Sequence, residues 1–214
     1  MSFLRQTEFF DPENIKASVT LIGVGSVGSF LALSLSKMGI ERMVLYDPDL
    51  IEEHNISNQF FRTISLGNYK VSEIQSAMLM YGLSKDTEAH QEIFDETKEI
   101  STDIVISAVD SMEARRKIWE ALRNKHIFYI DTRMAGEYFR IYSLRADNEE
   151  SIKKYEETLI HPDVEAPCGA RTIIYNVLQI SSLASLFVKK YYKGEEIPFF
   201  YSQDTNNLYH YLET

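Results

Sequence analysis

Ser18-Val19-Thr20-Leu21-Ile22-Gly23-Val24-Gly25-Ser26-Val27-Gly28 is the stretch on which the reading of this chain turns. Residues 18 to 23 form a short apolar run closed by glycine, the pattern of a buried strand. Residues 27 to 38 follow with apolar residues at helical spacing. Between them Gly23, Gly25 and Gly28 stand in G-x-G-x-x-G order, leaving a strand and opening a helix. The first glycine permits a tight turn, the second lets backbone approach a phosphate, and the third lets the helix lie close to the strand. The helix N-terminus that follows offers free N–H groups and a partial positive charge to an anion. Gly23, Gly25, Ser26 and Gly28 are therefore candidate nucleotide-binding residues, although glycine-rich turns also serve packing.

Working outward, residues 42 to 46 read as a second strand ending at Asp47. Strand, helix and strand within about 30 residues make one βαβ unit. An acid at the end of that second strand, roughly 20 residues past the glycines, can accept both ribose hydroxyls. Residues 47 to 66 are polar with isolated apolar positions and read as a long loop of functional type. A helix over 67 to 82, a strand near 89 to 94, a buried strand from Asp103 to Val109, a helix from Ser111 to Arg123 and a strand from Ile127 to Ile130 continue the alternation. The expected fold class is α/β, Rossmann-like, with a mostly parallel sheet and helices on both faces. Antiparallel strands are expected toward the C-terminus, where Glu137 to Leu144 alternates. Residues 146 to 169 carry many charges and two prolines and read as a mobile crossover loop with some helix. Ala170 to Tyr192 reads as one long helix. Residues 197 to 212 read as a hairpin or extended tail whose aromatic residues pack on their own domain.

The 214 residues suit one domain spanning 1 to 214. Twenty-two basic against 32 acidic residues leave a net charge of −10, which argues against a nucleic-acid partner. The N-terminus lacks an apolar signal core, and the run from Ile173 to Val188 is too short and too polar for a membrane span. A cytoplasmic protein without a membrane partner is expected. The single cysteine, Cys168, excludes an internal disulfide and a four-cysteine zinc site within the chain. His54, His90, His126, His161 and His210 show no ligand spacing.

The segment Asp47-Pro48-Asp49-Leu50-Ile51-Glu52-Glu53-His54-Asn55-Ile56-Ser57-Asn58-Gln59 resembles the D-x-D-x-[VI]-x-x-x-N-x-x-R-Q signature of the ThiF/MoeB/HesA family, bacterial relatives of ubiquitin-activating enzymes. Arg5-Gln6 stands where that family has an N-terminal Arg-Gln. Gly67-Asn68-Tyr69-Lys70 matches its G-x-x-K, Asp110 its aspartate after the next strand, and Arg115 the arginine five residues on. The likeness covers about residues 5 to 135. It implies ATP-dependent adenylation of the C-terminal carboxylate of a small ubiquitin-like or sulfur-carrier protein, giving an acyl adenylate and pyrophosphate. By the same likeness Asp110 holds Mg²⁺, and Lys70 places a compact positive charge on the phosphates. Asn55, Asn58 and Gln59 face nucleotide or substrate, and Asp47 and Asp49 belong to the nucleotide site. Arg5 reaches the phosphates of a neighbouring subunit, which implies a homodimer. Taken singly, Lys70 reads as a solvated helix lysine, Asp110 as a helix N-cap and Arg115 as a structural partner of a carboxylate.

Three departures stand out. The family arginine of N-x-x-R-Q falls at Asn58, which is neutral; Arg62, four residues on, is the candidate replacement. The C-x-x-C pairs of zinc-bearing relatives are missing, so no zinc is expected. Cys168 stands before the long C-terminal helix and is a candidate nucleophile, against the favoured reading of a small buried residue. Two other functions compete. A degenerate member would bind nucleotide or a protein partner without catalysis, with Asn58 as its support. An NAD-dependent oxidoreductase explains the glycine loop and Asp47 but leaves Lys70, Asp110 and the Asn55 to Gln59 segment unexplained together.

Overall fold

A computed structural model describes residues 2–81, 83, 86–160 and 172–214. Its spine is an eight-stranded sheet in the order β3-β2-β1-β4-β5-β6-β7-β8. The strands are β1 (Ser18–Ile22), β2 (Arg42–Tyr46), β3 (Asp86–His90), β4 (Ile104–Ser107), β5 (Phe128–Ala135), β6 (Tyr138–Arg145), β7 (Phe200–Asp204) and β8 (Tyr209–Glu213). The pairs among β1 to β5 are parallel, and those from β5 to β8 are antiparallel. This is the mixed α/β sheet that the alternating pattern predicted.

The alternation of side chains along each strand divides the core into two layers. Val19, Leu21, Met43, Leu45, Ile104 and Ile106 face one side, with α2 (Ser26–Met38), α3 (Lys70–Met80) and α6 (Ile174–Lys193). Val44, Tyr46, Val105, Tyr129 and Tyr142 face the other, with α4 (Met112–Leu122) and α5 (Glu149–Ile160). A short α1 (Pro12–Ile15) precedes β1, its N-cap Asp11 accepting from the Glu13 N–H.

Two readings of the sequence shift. The third strand lies at Asp86–His90 rather than 89 to 94. It is an edge strand held by the Arg42 ion pairs to Asp86 at 3.0 Å and Glu88 at 2.6 Å, so it needs little apolar character. The apolar Ile93 and Phe94 lie beyond it, and Phe94 packs edge-on against Tyr46. Residues 149 to 160, read as part of a loop with some helix, form the regular helix α5. Asn148 Oδ1 accepts from the Ser151 N–H at its start, and Ile152, Tyr155 and Leu159 are buried along one face. Residues 161 to 169 of that expected loop lie outside the described residues. The tail is a hairpin, as expected. Phe200 and Tyr201 pack on Tyr142 and Phe139, while every residue of β8 is exposed.

Candidate active site

The strand order reverses at β1. The chain winds outward through β2 to β3, then crosses back to place β4 on the other side of β1. The carboxyl ends of β1 and β4 therefore splay loops to opposite sides of a crevice, the place where α/β sheets bind ligands.

The glycine loop lines one side. Gly23 adopts φ +85°, and a Cβ there would stand 2.7 Å from the Ala108 carbonyl oxygen, so this turn packs directly on the loop leaving β4. A Cβ on Gly28 would stand 2.0 Å from the Gly23 carbonyl oxygen. Gly25, by contrast, faces open space, with only Gln59 Nε2 as near as 4.0 Å. The three glycines thus divide into two that permit packing and one that leaves backbone accessible. Gly28→Ala is expected to lower stability by about 2 kcal/mol or more, because the clash is with backbone that cannot turn aside. Urea unfolding checks this, and a variant as stable as the parent would contradict it.

Asp47 stands at the end of β2, as its position in the sequence implied. It is 6% exposed. Its Oδ2 accepts from the Val24 N–H at 2.8 Å and its Oδ1 from the Asp49 N–H at 2.9 Å. The carboxylate clamps the glycine loop to the end of β2, a role beyond the ribose contact read from its position. Burial pushes its pKa up, against the pull of Lys70 and the two backbone donors. Asp47 therefore protonates above the ordinary aspartate range near about 4. Protonation relieves the burial penalty, so the fold gains stability from this group as pH falls through the raised value. The loop clamp weakens over the same interval, because a neutral carboxyl accepts less strongly than a carboxylate. Nucleotide affinity is expected to fall on acidification before ordinary aspartates titrate, and Asp47→Asn to flatten that dependence. Titrations of both proteins across acidic pH check it; parallel pH profiles would contradict it.

Lys70 opens α3 and is 7% exposed, with Nζ 2.7 Å from Asp49 Oδ2. It is a buried, paired cation and not the solvated helix lysine of the blander reading. Asn55 is buried, and its Oδ1 accepts from the Glu52 N–H at 2.9 Å, closing a tight turn in the loop after β2. Asn58 donates through Nδ2 to Thr172 Oγ1, which ties this loop to the chain entering α6. Asn58 Oδ1 and Gln59 Oε1 are buried without a hydrogen-bond partner among the described residues. Phe60 N–H donates to Ser29 Oγ at 2.9 Å, holding the same loop against α2. Arg62 pairs with Glu73 at 2.8 Å, one turn along α3 from Lys70. Burial pulls the Glu73 carboxyl up, but polar neighbours, with the Arg62 guanidinium hydrogen-bonded to it, hold it below its usual range.

Across the crevice, Asp110 is exposed just after β4. It is not the helix cap: Ser111 is, its Oγ accepting from the Ala114 N–H at 3.2 Å. The Asp110 carboxylate makes no hydrogen bond or ion pair with any described residue. Arg115 is buried against Asp131 at 3.0 Å, the carboxylate partner that its helix position suggested. Asp131, on β5, is a residue of this region that the sequence reading did not single out.

Arg5 is not brought to this crevice. It is exposed in the N-terminal turns, next to Gln6, whose Nε2 donates to the Met38 carbonyl oxygen at 2.5 Å. Met38 ends α2, and the 13 residues of that helix separate it from the glycine loop by about 20 Å. Cys168 lies outside the described residues.

Set beside known proteins, the chain matches the sequence model of the ThiF family over residues 11–203. Ubiquitin-like modifier-activating enzyme 5 of Drosophila simulans is 28% identical over 149 residues, covering 62% of this chain and 37% of that protein. The chain thus spans well under half the length of that relative. Among solved structures, PaaA superposes over 100% of this chain and 74% of its own, with a TM-score of 0.77 and 18% identity. E. coli MccB, solved with ATP and also with MccA, covers 95% of this chain and 65% of its own at a TM-score of 0.74 and 17% identity. The two structures share the fold. The oxidoreductase and non-catalytic readings are not the ones these likenesses favour. Among the described residues no helix is long and apolar enough to cross a membrane.

Proposed function

The chain belongs to the ThiF family, and we propose that it adenylates the C-terminal carboxylate of a small ubiquitin-like or sulfur-carrier protein, or of a peptide, using ATP and Mg²⁺. The observation that carries this reading is the placement of opposite chemistries across one crevice. The open backbone at Gly25 and the buried cation Lys70 lie on one side, and the unpartnered carboxylate of Asp110 lies on the other. An oxidoreductase needs the first and has no use for the other two.

Adenylation brings two anions together and releases a third. The barrier is electrostatic, so preorganised cations and donors supply most of the catalysis. The α2 N-terminus and the Gly25 backbone would hold phosphate oxygens, Lys70 would neutralise them, and the Asp47 clamp keeps the loop in shape. Asn55, Asn58 and Gln59 lie on the loop after β2, and Asp49, paired with Lys70, would meet the nucleotide from the same loop. The residues present fit a magnesium ion. Asp110 offers a free carboxylate, and no group of three ligating side chains exists among the described residues. Such an ion takes its remaining ligands from phosphates and water. It would supply charge neutralisation on the α-phosphate and the departing pyrophosphate.

Arg62 stays the candidate for the charge missing at Asn58. Releasing Glu73 would let its guanidinium serve the phosphates, and Arg62→Ala is expected to slow turnover about tenfold or more. Turnover unchanged in that variant would end the idea. The N-terminal Arg5 fits a role in the site of a second copy. A cytoplasmic location, and Cys168 as a candidate nucleophile, belong to the same reading.

Calorimetric titration with ATP and magnesium, and separately with NAD, tests it, comparing the parent with Asp110→Ala. ATP binding that weakens in the variant, followed by pyrophosphate exchange in the presence of a carrier, is the expected result. NAD binding without an ATP response would overturn it.

A further inference from the structure

We propose that Arg115 is a positioning residue for this reaction, holding the turn that carries Asp110 from inside the protein. The role rests on the adenylation reading of Asp110 given above. Arg115 is 4% exposed. Its Nε donates to Asp131 Oδ1 at 3.0 Å. Its Nη2 donates to the carbonyl oxygens of Val109 and, at 3.1 Å, of Thr132. Val109 supplies the peptide unit immediately before Asp110, so one planar fork joins that peptide to two successive residues of β5. The start of the turn is tied to the same strand, where Thr132 Oγ1 donates to the Ser107 carbonyl oxygen at 2.9 Å. Its end is closed by the Ser111 cap on α4. The backbone on both sides of Asp110 is therefore held, while the Asp110 side chain has no hydrogen bond of its own to a described residue. Whatever aims that carboxylate into the crevice is the turn.

The anchor is itself anchored. Asp131 is fully buried and also accepts from Arg133 Nε at 2.7 Å and from the Tyr155 hydroxyl at 3.0 Å. The Arg133 guanidinium lies over the Tyr142 ring and donates to Thr158 Oγ1 at 2.9 Å, which locks the cluster to α5. Stability alone does not explain the arrangement. Buried ion pairs contribute little net stability against apolar replacements of the same shape. A cation in the opening turns of α4 also runs against the helix macrodipole. What the guanidinium supplies is a fixed geometry of three acceptors, which an ammonium on a flexible stem cannot reproduce.

The test compares Arg115→Lys with Asp110→Asn and with Tyr192→Phe. The last removes a hydrogen-bonded hydroxyl beside Ser18 and Asp103, at the amino ends of β1 and β4 and away from the crevice. Amide hydrogen exchange at Ala108 and Ala114, whose N–H groups donate to the Ile22 carbonyl oxygen and to Ser111 Oγ on either side of the turn, melting temperature, and calorimetric affinity for ATP with magnesium are read for each. Arg115→Lys is expected to speed exchange there and weaken ATP·Mg²⁺ binding, each about tenfold or more, as loss of a charged hydrogen bond implies. Tyr192→Phe is expected to change melting alone. Unchanged exchange in Arg115→Lys overturns the proposal whatever the site binds. Faster exchange with unchanged affinity, while Asp110→Asn weakens affinity, overturns it too, because the turn would then be free without consequence. If neither Arg115→Lys nor Asp110→Asn alters affinity, the reading of the site fails, and the role assigned to Arg115 falls with it.

Discussion

Lys70→Met is expected to lower kcat/KM for adenylation by about 10²–10³, with melting changed far less, because it removes a preorganised cation and keeps the apolar stem. The ammonium is buried and 2.7 Å from Asp49, so it is held in place before any phosphate arrives and needs no reorganisation. The neutral Asn58 stands where the family has an arginine, and its amide nitrogen is engaged with Thr172. The charge demanded by the triphosphate therefore leans harder on Lys70 than in a relative that keeps both cations. A second consequence separates a charge effect from a packing effect. The Lys70 charge pulls Asp47 toward ionisation against burial. Without it Asp47 is driven further up, and the acid limb of nucleotide binding shifts to higher pH. Lys70→Arg keeps the charge but spreads it over a wider plane that does not fit the same buried place, so only partial recovery is expected. Pyrophosphate-exchange rates and binding titrations across pH check both effects. A Lys70→Met protein within about threefold of the parent, on the same scale of effects, would remove Lys70 from the reaction.

What the sequence makes legible here is what depends on neighbours along the chain. The glycine loop and Asp47 at a strand end follow from spacing and periodicity, Lys70 from the family resemblance, and their elements lie where they were expected. The partners of those residues are tertiary. That Asp47 grips the Val24 N–H follows only once β2 lies parallel to β1. That Arg115 meets Asp131 depends on β5 pairing with β4, which sets Ser107 opposite Asp131. The same holds for Asn58, whose partner Thr172 is 114 residues away. The α5 helix was hidden for another reason. Its apolar positions Ile152, Tyr155 and Leu159 keep helical spacing, but the charged residues around them and the prolines that follow pull the reading toward loop. The β3 edge strand was displaced because an edge stabilised by ion pairs does not announce itself by hydrophobicity. The local chemistry of a site is thus read from sequence before the contacts that tune it.

The position of Arg5 leads to the other large effect. Arg5 and Asp110 are expected to be needed in different copies of the chain. Arg5 is exposed beside Gln6, which is fastened to the end of α2 far from the glycine loop. No rearrangement short of detaching that segment brings Arg5 to its own crevice. If the arginine acts on phosphates, it acts on those of a second copy, and closed two-fold pairing makes the exchange reciprocal. Arg5→Ala and Asp110→Ala are then each expected to be nearly inactive alone, with losses of about 10² or more. Mixed under conditions that allow subunit exchange, they should regain activity. In a mixed pair the copy that keeps Asp110 faces the partner that keeps Arg5, so one of its two sites is whole. Random pairing makes half the dimers mixed, and recovery should therefore approach about a quarter of the parent activity. The recovery should rise with the square of protein concentration in the dilute range, where pairing is limiting. Sedimentation at the same concentrations reports the oligomer. No recovery on mixing, in a protein shown to be dimeric and exchanging, would place Arg5 outside the reaction. Full activity of Arg5→Ala alone would do so more directly.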